Sequence, residues 1–226
     1  MFHYQKYIRM KNNLKSIVLS VLFLFLIVFN AHSQYPEINT KLDKKVKAFL
    51  EENTNEWRDM NVPLTDGKIL YDLIVENNYT KAVEIGTSTG HSAIWMAWAL
   101  SKTGGKLITI EIDKRRYVQA KANFKKAGVE KYIDARLADA HELVPKLPGK
   151  YDFVFSDADK YWYTNYFKAM DPKLKVGGRF TAHNTNMRMP SINEFVEYVK
   201  SQDNYKTTFA DDSRSGISVS IKIEKD

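Results

Sequence analysis

The chain has 226 residues, of which 44% are hydrophobic and 13% aromatic, and this is enough for one domain with a full core. It contains no cysteine, which excludes disulfides, thiolate nucleophiles and cysteine-bound zinc. The net charge is +7, but residues 1–33 hold four basic and no acidic side chains, and the remaining +3 is too small to indicate a nucleic-acid partner.

Residues 1–33 have the pattern of a signal sequence. Basic residues end at Lys15, an apolar run extends from Ile17 to Phe29, and the small-x-small segment Ala31-His32-Ser33 follows. The run is shorter than the roughly 20 residues of a membrane span. The pattern predicts a cleaved signal peptide or an uncleaved signal anchor, which would be the membrane contact, followed by one domain over 34–226. The predicted location is periplasmic, secreted or membrane-anchored.

The rest of the chain alternates between helical and strand patterns. Apolar periodicity predicts helices at 42–52, 66–76, 92–100, 114–127, 140–147, 163–170 and 192–201. Short apolar runs predict strands at 81–85, 106–112, 132–137, 151–157 and 178–184, and a final hairpin at 205–210 and 216–223. This order predicts an α/β, Rossmann-like sheet of seven mostly parallel strands, with helices on both faces and an antiparallel C-terminal strand pair.

The first predicted strand runs into VEIGTSTGHS, residues 83–92. Gly86-Thr87-Ser88-Thr89-Gly90 within it fits G-x-S-x-G, the nucleophile elbow of the α/β-hydrolases. Asp157 and His183 follow, so the residues of a catalytic triad are present. An elbow comes after several strands of its fold, however, and here only helices precede the strand. The order therefore disfavours a Ser88 nucleophile, and a serine hydrolase stays the weaker alternative.

The same loop fits a nucleotide-like cofactor better. Ligands of parallel α/β sheets bind beyond the carboxyl ends of the strands, where Gly86 and Gly90 permit close approach of the backbone. The next strand ends at Glu111, where a carboxylate can hold ribose hydroxyls. Glu84 would repel a pyrophosphate but would favour a cofactor with a cationic amino-acid end.

Two stretches of the sequence carry a family resemblance, namely VEIGTSTGHSAIWMAWAL, which begins at residue 83, and SDADKYWYTNYF (156–167). They resemble motif I and the D-A-D-K-x-N-Y-x-x-Y stretch of the class I S-adenosylmethionine-dependent O-methyltransferases of the catechol and caffeoyl-CoA type. VGGRFTAHNT (176–185) is similar to their G-G-x-x-x-x-D-N-T segment, and the resemblance extends from about residue 60 to the end of the chain.

The resemblance implies methyl transfer from S-adenosylmethionine to a hydroxyl of a small, catechol-like acceptor. Lys160 is implied as the general base, with Asp157 as a second catalytic residue. The residues implied around the cofactor are Val62, Glu84, Gly86, Ser88, Gly90, Ser92, Glu111, Asp139, Ala140 and Asp157. A cofactor-binding protein without methylation activity is the alternative. The oligomeric state stays open, although relatives of this kind are often dimers.

The resemblance also implies a divalent metal on Asp157, His183 and Asn184. The family has an aspartate at the position of His183. Imidazole in place of a hard oxygen ligand disfavours magnesium and suits zinc, iron, nickel or copper. Two interpretations stay open, namely a site that binds a transition metal and a site that has lost its metal. A second conflict is that an exported chain would be separated from a cytoplasmic cofactor.

Overall fold

The computed structural model describes residues 35–57 and 59–224, and these belong to one compact unit, Tyr35–Asp226. The predicted signal segment over residues 1–33 lies outside the described residues. In the part of the chain that is described, no helix is both long and apolar enough to cross a membrane.

Helices and strands alternate through the described chain. The helices are α1 (Lys41–Glu52), α2 (Leu64–Glu76), α3 (His91–Thr103), α4 (Lys114–Ala127), α5 (Ala140–Leu143), α6 (Tyr163–Met170) and α7 (Pro190–Lys200). The strands are β1 (Lys81–Ile85), β2 (Lys106–Glu111), β3 (Ile133–Leu137), β4 (Tyr151–Ser156), β5 (Leu174–His183), β6 (Tyr205–Phe209) and β7 (Ile217–Lys222). Short 3₁₀ turns lie at Glu130–Tyr132, Val144–Lys146 and Asp171–Lys173.

The strands form one seven-stranded sheet in the order β3-β2-β1-β4-β5-β7-β6. The pairs β1–β2, β2–β3, β1–β4 and β4–β5 are parallel, whereas β7 is antiparallel to both of its neighbours. The predicted fold class is confirmed. Because the strand order reverses between β1 and β4, their carboxyl ends flank the switch point at which ligands of open α/β sheets bind.

A hydrophobic core lies on each face of the sheet. Phe153 and Phe155 of β4 belong to one core, and Val154 between them belongs to the other, as the two-residue period of a strand requires. Helices α1 to α4 contribute to the first core and α5 to α7 to the second. Helix α3 is buried over 91–100, which explains why it lacks the polar face of a surface helix.

Two boundaries differ by four residues from the predicted ones, and the other differences are smaller. β5 begins at Leu174 instead of residue 178, because the strand continues through Gly177 and Gly178 with a register shift against β4. Gly177 has a φ of 78°, which glycine adopts without strain. Helix α5 ends at Leu143 instead of residue 147, and Pro145, which has no N–H to donate, lies in a 3₁₀ turn.

Candidate active site

A cavity of about 770 Å³ lies at the carboxyl ends of β1, β2, β4 and β5. Nine residues predicted from the sequence line it, namely Gly86, Ser88, Glu111, Asp139, Ala140, Asp157, Lys160, His183 and Asn184. Four others predicted around the cofactor do not line it: Val62, Glu84, Gly90 and Ser92. The topology therefore brings residues from most of the chain to one site.

The glycine loop, which is residues 86–90, lies against the end of β4. A side chain at Gly86 would place its Cβ 2.6 Å from the carbonyl oxygen of Asp157, and Gly86 has a φ of 98°. Only glycine allows the ends of β1 and β4 to approach this closely. Gly90 has another reason to be glycine, because its Cβ would lie 2.5 Å from the ring of Phe124. Gly90 thus packs against α4 instead of facing the cavity.

Glu84 lies behind the glycine loop and is fully buried. Its carboxyl group accepts hydrogen bonds of 2.5 Å from the hydroxyls of Ser92 and Thr109. Burial raises the pKa of Glu84 to about 8, against the opposing effect of these two bonds, and the charges of Asp157 and Glu111 add to the rise. Glu84 and Ser92, for which the family resemblance implies a cofactor contact, are bonded to each other and do not line the cavity.

Glu111 is fixed by the backbone at the end of β2. Its two carboxylate oxygens accept hydrogen bonds from the backbone N–H groups of Ser88, at 2.7 Å, and Asp113, at 2.9 Å. The residue is 6% exposed and lines the cavity. The loop and the carboxylate therefore hold each other in place before any ligand binds.

Ser88 is not arranged as a nucleophile. Its hydroxyl donates a 2.5 Å hydrogen bond to the carbonyl oxygen of Asp59. The ring of His183, which the hydrolase alternative requires beside Ser88, bonds instead to Asp157 and Asp66. A base that could take the proton of Ser88 is thus not in contact with it, and the geometry gives the serine-hydrolase alternative no support.

The segment before α2 covers part of the glycine loop. Asp59 forms an ion pair with Arg116, with Nη2 and Oδ1 2.8 Å apart, and Met60 and Asn61 line the cavity. Val62, which the sequence predicts as the cover, is only 3% exposed, and its carbonyl oxygen lies 2.8 Å from Nδ1 of His91. The cover is therefore formed by the two residues that precede Val62.

Four charged side chains form a row at the ends of β4 and β5. Lys160 Nζ lies 2.5 Å from Asp157 Oδ1, and the other carboxylate oxygen of Asp157 lies 3.1 Å from Nδ1 of His183. Nε2 of His183 lies 2.8 Å from Oδ2 of Asp66, in the first turn of α2. Exposure of these side chains falls along the row, from 19% for Lys160 to 12%, 5% and 0% for Asp66.

An aromatic stack lies beside this row. The ring of His141 is stacked on Trp162 with the centroids 4.0 Å apart, and Tyr166 lies 5.8 Å from His141. Asp139 caps α5 by accepting a 2.8 Å hydrogen bond from the backbone N–H of His141. His141 and Tyr166 both line the cavity, which therefore has a flat wall that suits a ring-shaped ligand.

Comparison with known proteins agrees with this geometry. The model of the O-methyltransferase family matches residues 32–220. The chain belongs to the O-methyltransferase family. The family predicted from the motifs is thereby confirmed.

Relatives of this chain include methyltransferases that are named for flavonoid and catechol substrates. The chain is 34% identical over 159 residues to a flavonoid 3',5'-methyltransferase of Vitis vinifera, a match that covers 68% of this chain and 67% of that protein. It is 37% identical over 113 residues to a catechol O-methyltransferase of Niastella koreensis, covering 48% and 51%. The chain thus spans between about half and two thirds of the length of these relatives.

Solved O-methyltransferase structures share the fold. An O-methyltransferase from Bacillus cereus in complex with SAH matches with a TM-score of 0.70 and 22% identity, over 87% of this chain and 96% of that one. TomG from Streptomyces achromogenes, in complex with SAM, matches with a TM-score of 0.69 and 22% identity, over 88% and 95%.

For this member of the O-methyltransferase family, the predicted metal site does not fit the geometry. A histidine binds a metal through the lone pair of a neutral ring nitrogen. Both ring nitrogens of His183 are instead within hydrogen-bonding distance of carboxylate oxygens, and Asp157 is bonded through both of its oxygens. Among the described residues, no group of three or more His, Cys, Asp or Glu side chains has an arrangement that could hold a metal ion.

Sequence reasoning missed Asp66. The pattern identified it only as the start of a helix, because an acidic residue in the first turn is common there. The available signal in the sequence was that apolar residues surround Asp66, which indicates burial. In the structure its side chain is 0% exposed, and a buried carboxylate needs a partner. The partner lies 117 residues away in the sequence, so local patterns could not identify it.

Proposed function

We propose that the chain transfers a methyl group from S-adenosylmethionine to a hydroxyl group of a small aromatic acceptor. The observation that carries the proposal is that the family's motif residues Gly86, Glu111, Asp157 and Lys160 converge on one cavity at the switch point of the sheet. A cavity of about 770 Å³ is of the size that small-molecule and cofactor sites have.

The cofactor end of the cavity is formed by the ends of β1 and β2. When bound there, S-adenosylmethionine supplies a methyl group on a positively charged sulfur. Gly86 lines the cavity at the loop, and Glu111 is held where it can accept hydrogen bonds from ribose hydroxyls. Asp139 and Ala140 would flank the adenine, as the family resemblance implies. The carboxylates at this end favour a cationic ligand.

The acceptor end is formed by Asp157 and Lys160. A phenol has a pKa near 10, so its oxygen is a poor nucleophile at neutral pH unless a positive charge stabilises the phenolate. The ammonium group of Lys160 lines the cavity and is held by Asp157. Because the ammonium group of Lys160 donates to Asp157 and lines the cavity, we assign it the stabilisation of the phenolate, with the hydroxyl proton released to solvent, instead of the general-base role predicted from the family.

The chemical step then balances without a further reactant. The carbon–sulfur bond to the methyl group breaks, its electron pair remains on sulfur, and the phenolate oxygen forms the new bond to carbon. The chain contributes orientation and charge, because the methyl donor is already activated. A divalent ion, predicted from the family resemblance, is left out of this proposal because the residues present do not fit one.

The test separates the two ends of the cavity with two variants. Glu111→Gln should weaken binding of S-adenosylhomocysteine, measured by calorimetry, by about 10–100-fold, the effect of losing hydrogen bonds to a charged group. Lys160→Gln should leave that affinity within about threefold but lower methyl transfer to a panel of catechols by about 10²–10³-fold, the scale of a lost electrostatic contact in the transition state. Exposed residues provide the matched controls Glu130→Gln and Lys168→Gln.

Folded wild-type protein that does not bind S-adenosylhomocysteine would contradict the proposal. Binding without methyl transfer to any phenolic acceptor would support the non-methylating alternative. Product analysis by mass spectrometry, which detects one added methyl group, identifies the acceptor.

We further propose that residues 1–33 export the domain or anchor it to a membrane. The support is the basic, apolar and small-x-small order of that segment. Cell fractionation and sequencing of the mature N-terminus test this proposal, and an intact N-terminus in the cytoplasmic fraction would contradict it. The homodimer expected from relatives also stays a prediction, which sedimentation analysis tests.

A further inference from the structure

The row of Lys160, Asp157, His183 and Asp66 has a protonation state that follows from its geometry. Ionised carboxylates only accept hydrogen bonds, and His183 has one carboxylate within 2.8 Å of Nε2 and another within 3.1 Å of Nδ1. A neutral imidazole would direct a lone pair at one of them. Only the imidazolium, which carries a proton on both nitrogens, donates to both.

The charges around His183 support this state. Asp66 faces it from α2 and Asp157 from the end of β4, while Lys160 is bonded to the far oxygen of Asp157. The ring of Phe155 lies with its centroid 6.1 Å from that of His183, and the hydroxyl of Tyr163 donates to the carbonyl oxygen of His183.

The row carries no net charge, because its two carboxylates face two cations. A divalent ion in this position would add two positive charges and would need oxygen atoms that already accept hydrogen bonds from His183 and Lys160. Binding the ion would therefore require the displacement of at least one of these two cations.

We propose that His183 takes the place of the metal ion as an internal cation that positions Asp157 and Lys160, so that methyl transfer by this chain needs no divalent ion. This inference rests on the proposed function for its catalytic part, but its structural part concerns metal binding alone. His183 acts through Asp157, whose second oxygen holds the ammonium group of Lys160. It is a positioning residue and not a group that reacts.

The experiment replaces the internal cation with the carboxylate of the family pattern. The full chain is stripped with a chelator, and its melting temperature and calorimetric binding are measured with magnesium, manganese, zinc or cobalt chloride. The variants are His183→Asp, the double variant Asp66→Asn/His183→Asp, and the control Asn193→Asp, which adds a carboxylate on an exposed position of α7. The double variant carries one carboxylate fewer at the site, in case the single variant does not fold without an ion.

The wild type and the control should show no melting shift with any of the ions. His183→Asp, or the double variant, should melt lower without an ion and gain about 5–10 °C when an ion is present at a hundredfold excess over its dissociation constant. A purely structural role of His183 predicts the lower melting temperature but not the gain. Saturable ion binding by the wild type at this site would overturn the proposal, as would folded Asp variants that bind no ion. These readouts need no acceptor, and binding of S-adenosylhomocysteine tests the proposed function separately.

Discussion

The carboxylates at the two ends of the cavity are bonded to different kinds of donor. At the ends of β1 and β2, Glu84 and Glu111 are bonded to neutral donors, which are hydroxyls and backbone N–H groups. At the ends of β4 and β5, Asp157 and Asp66 are bonded to cations. Neutral donors hold Glu111 in place without cancelling its charge, so the first end favours a cationic ligand, whereas burial raises the pKa of Glu84 to about 8 and favours its neutral form. The second end is neutral as a whole and presents an ammonium group.

The largest expected effect on stability is at the ends of β4 and β5, where the carboxylates are paired with cations. His183→Ala should lower the free energy of unfolding by about 3–5 kcal/mol, because it leaves Asp66, which is 0% exposed, without its cation. Asp66→Ala should have a similar cost, because it leaves the imidazolium buried beside only one carboxylate. Urea unfolding measures both variants.

A double-mutant cycle tests whether this cost comes from the pair. The variant Asp66→Ala/His183→Ala should lose clearly less stability than the sum of the two single variants, since neither charge is then left alone. If the loss in the double variant equals the sum of the two single losses, the two side chains contribute independently to stability. The pairing of carboxylates with cations would then not distinguish the stability of the two ends of the cavity.

The next effect is on the end with neutral donors, and it depends on pH. The pKa of Glu84 is raised from 4.5 to about 8 by burial, so its contribution to stability is complete below pH 4.5 and is lost as the pH rises towards 8. Glu84→Gln removes this titration while Ser92 and Thr109 keep a hydrogen-bonding partner. As the pH rises from 4.5 to 8, the free energy of unfolding of the variant should therefore increase by a few kcal/mol relative to that of the wild type, since one pKa unit corresponds to about 1.4 kcal/mol.

Urea unfolding at a series of pH values measures this difference. The exposed Glu194 provides the control Glu194→Gln, for which the difference from the wild type should stay constant with pH. If the difference in free energy of unfolding between Glu84→Gln and the wild type also stays constant with pH, Glu84 is ionised in the folded protein at all of these pH values.

The smallest expected effect is that of Ser88→Ala. This change removes the hydroxyl that donates to the carbonyl oxygen of Asp59, but it keeps the backbone N–H that is bonded to Glu111. We expect cofactor affinity to fall by about tenfold, or 1.4 kcal/mol. Calorimetry and turnover measurements test this value. A loss of turnover of about a thousandfold in a folded variant would instead be the effect of a lost nucleophile.

Much of the fold was predictable because helices and strands leave a local periodicity. The alternation of Phe153, Val154 and Phe155 marks a strand that is buried on both faces, and the order of the elements then limits the topology to a few forms. The two largest boundary differences, at Leu174 and Leu143, lie where glycine or proline interrupts that periodicity. Glycines that look like a turn can also continue a strand through a bulge.

The residues of the cofactor end were predictable for the same reason. The glycine loop and Glu111 directly follow their strands, so their place at the edge of the sheet follows from the local pattern. Whether a residue there faces the cavity was not predictable, since Glu84 and Ser92 satisfy each other behind the loop. Facing inwards or outwards at a strand end depends on the neighbouring strands.

The sequence by itself determined the fold class, the family and the edge of the sheet at which the site lies, because these depend on periodicity and on short motifs. Only the tertiary structure decided the partners of His183. Its residue type is compatible with a metal ligand, a base or a cation, and the choice depends on which atoms face its two ring nitrogens. Those atoms belong to Asp157 and to Asp66, which are 26 and 117 residues away, so the choice is fixed only when the chain has folded.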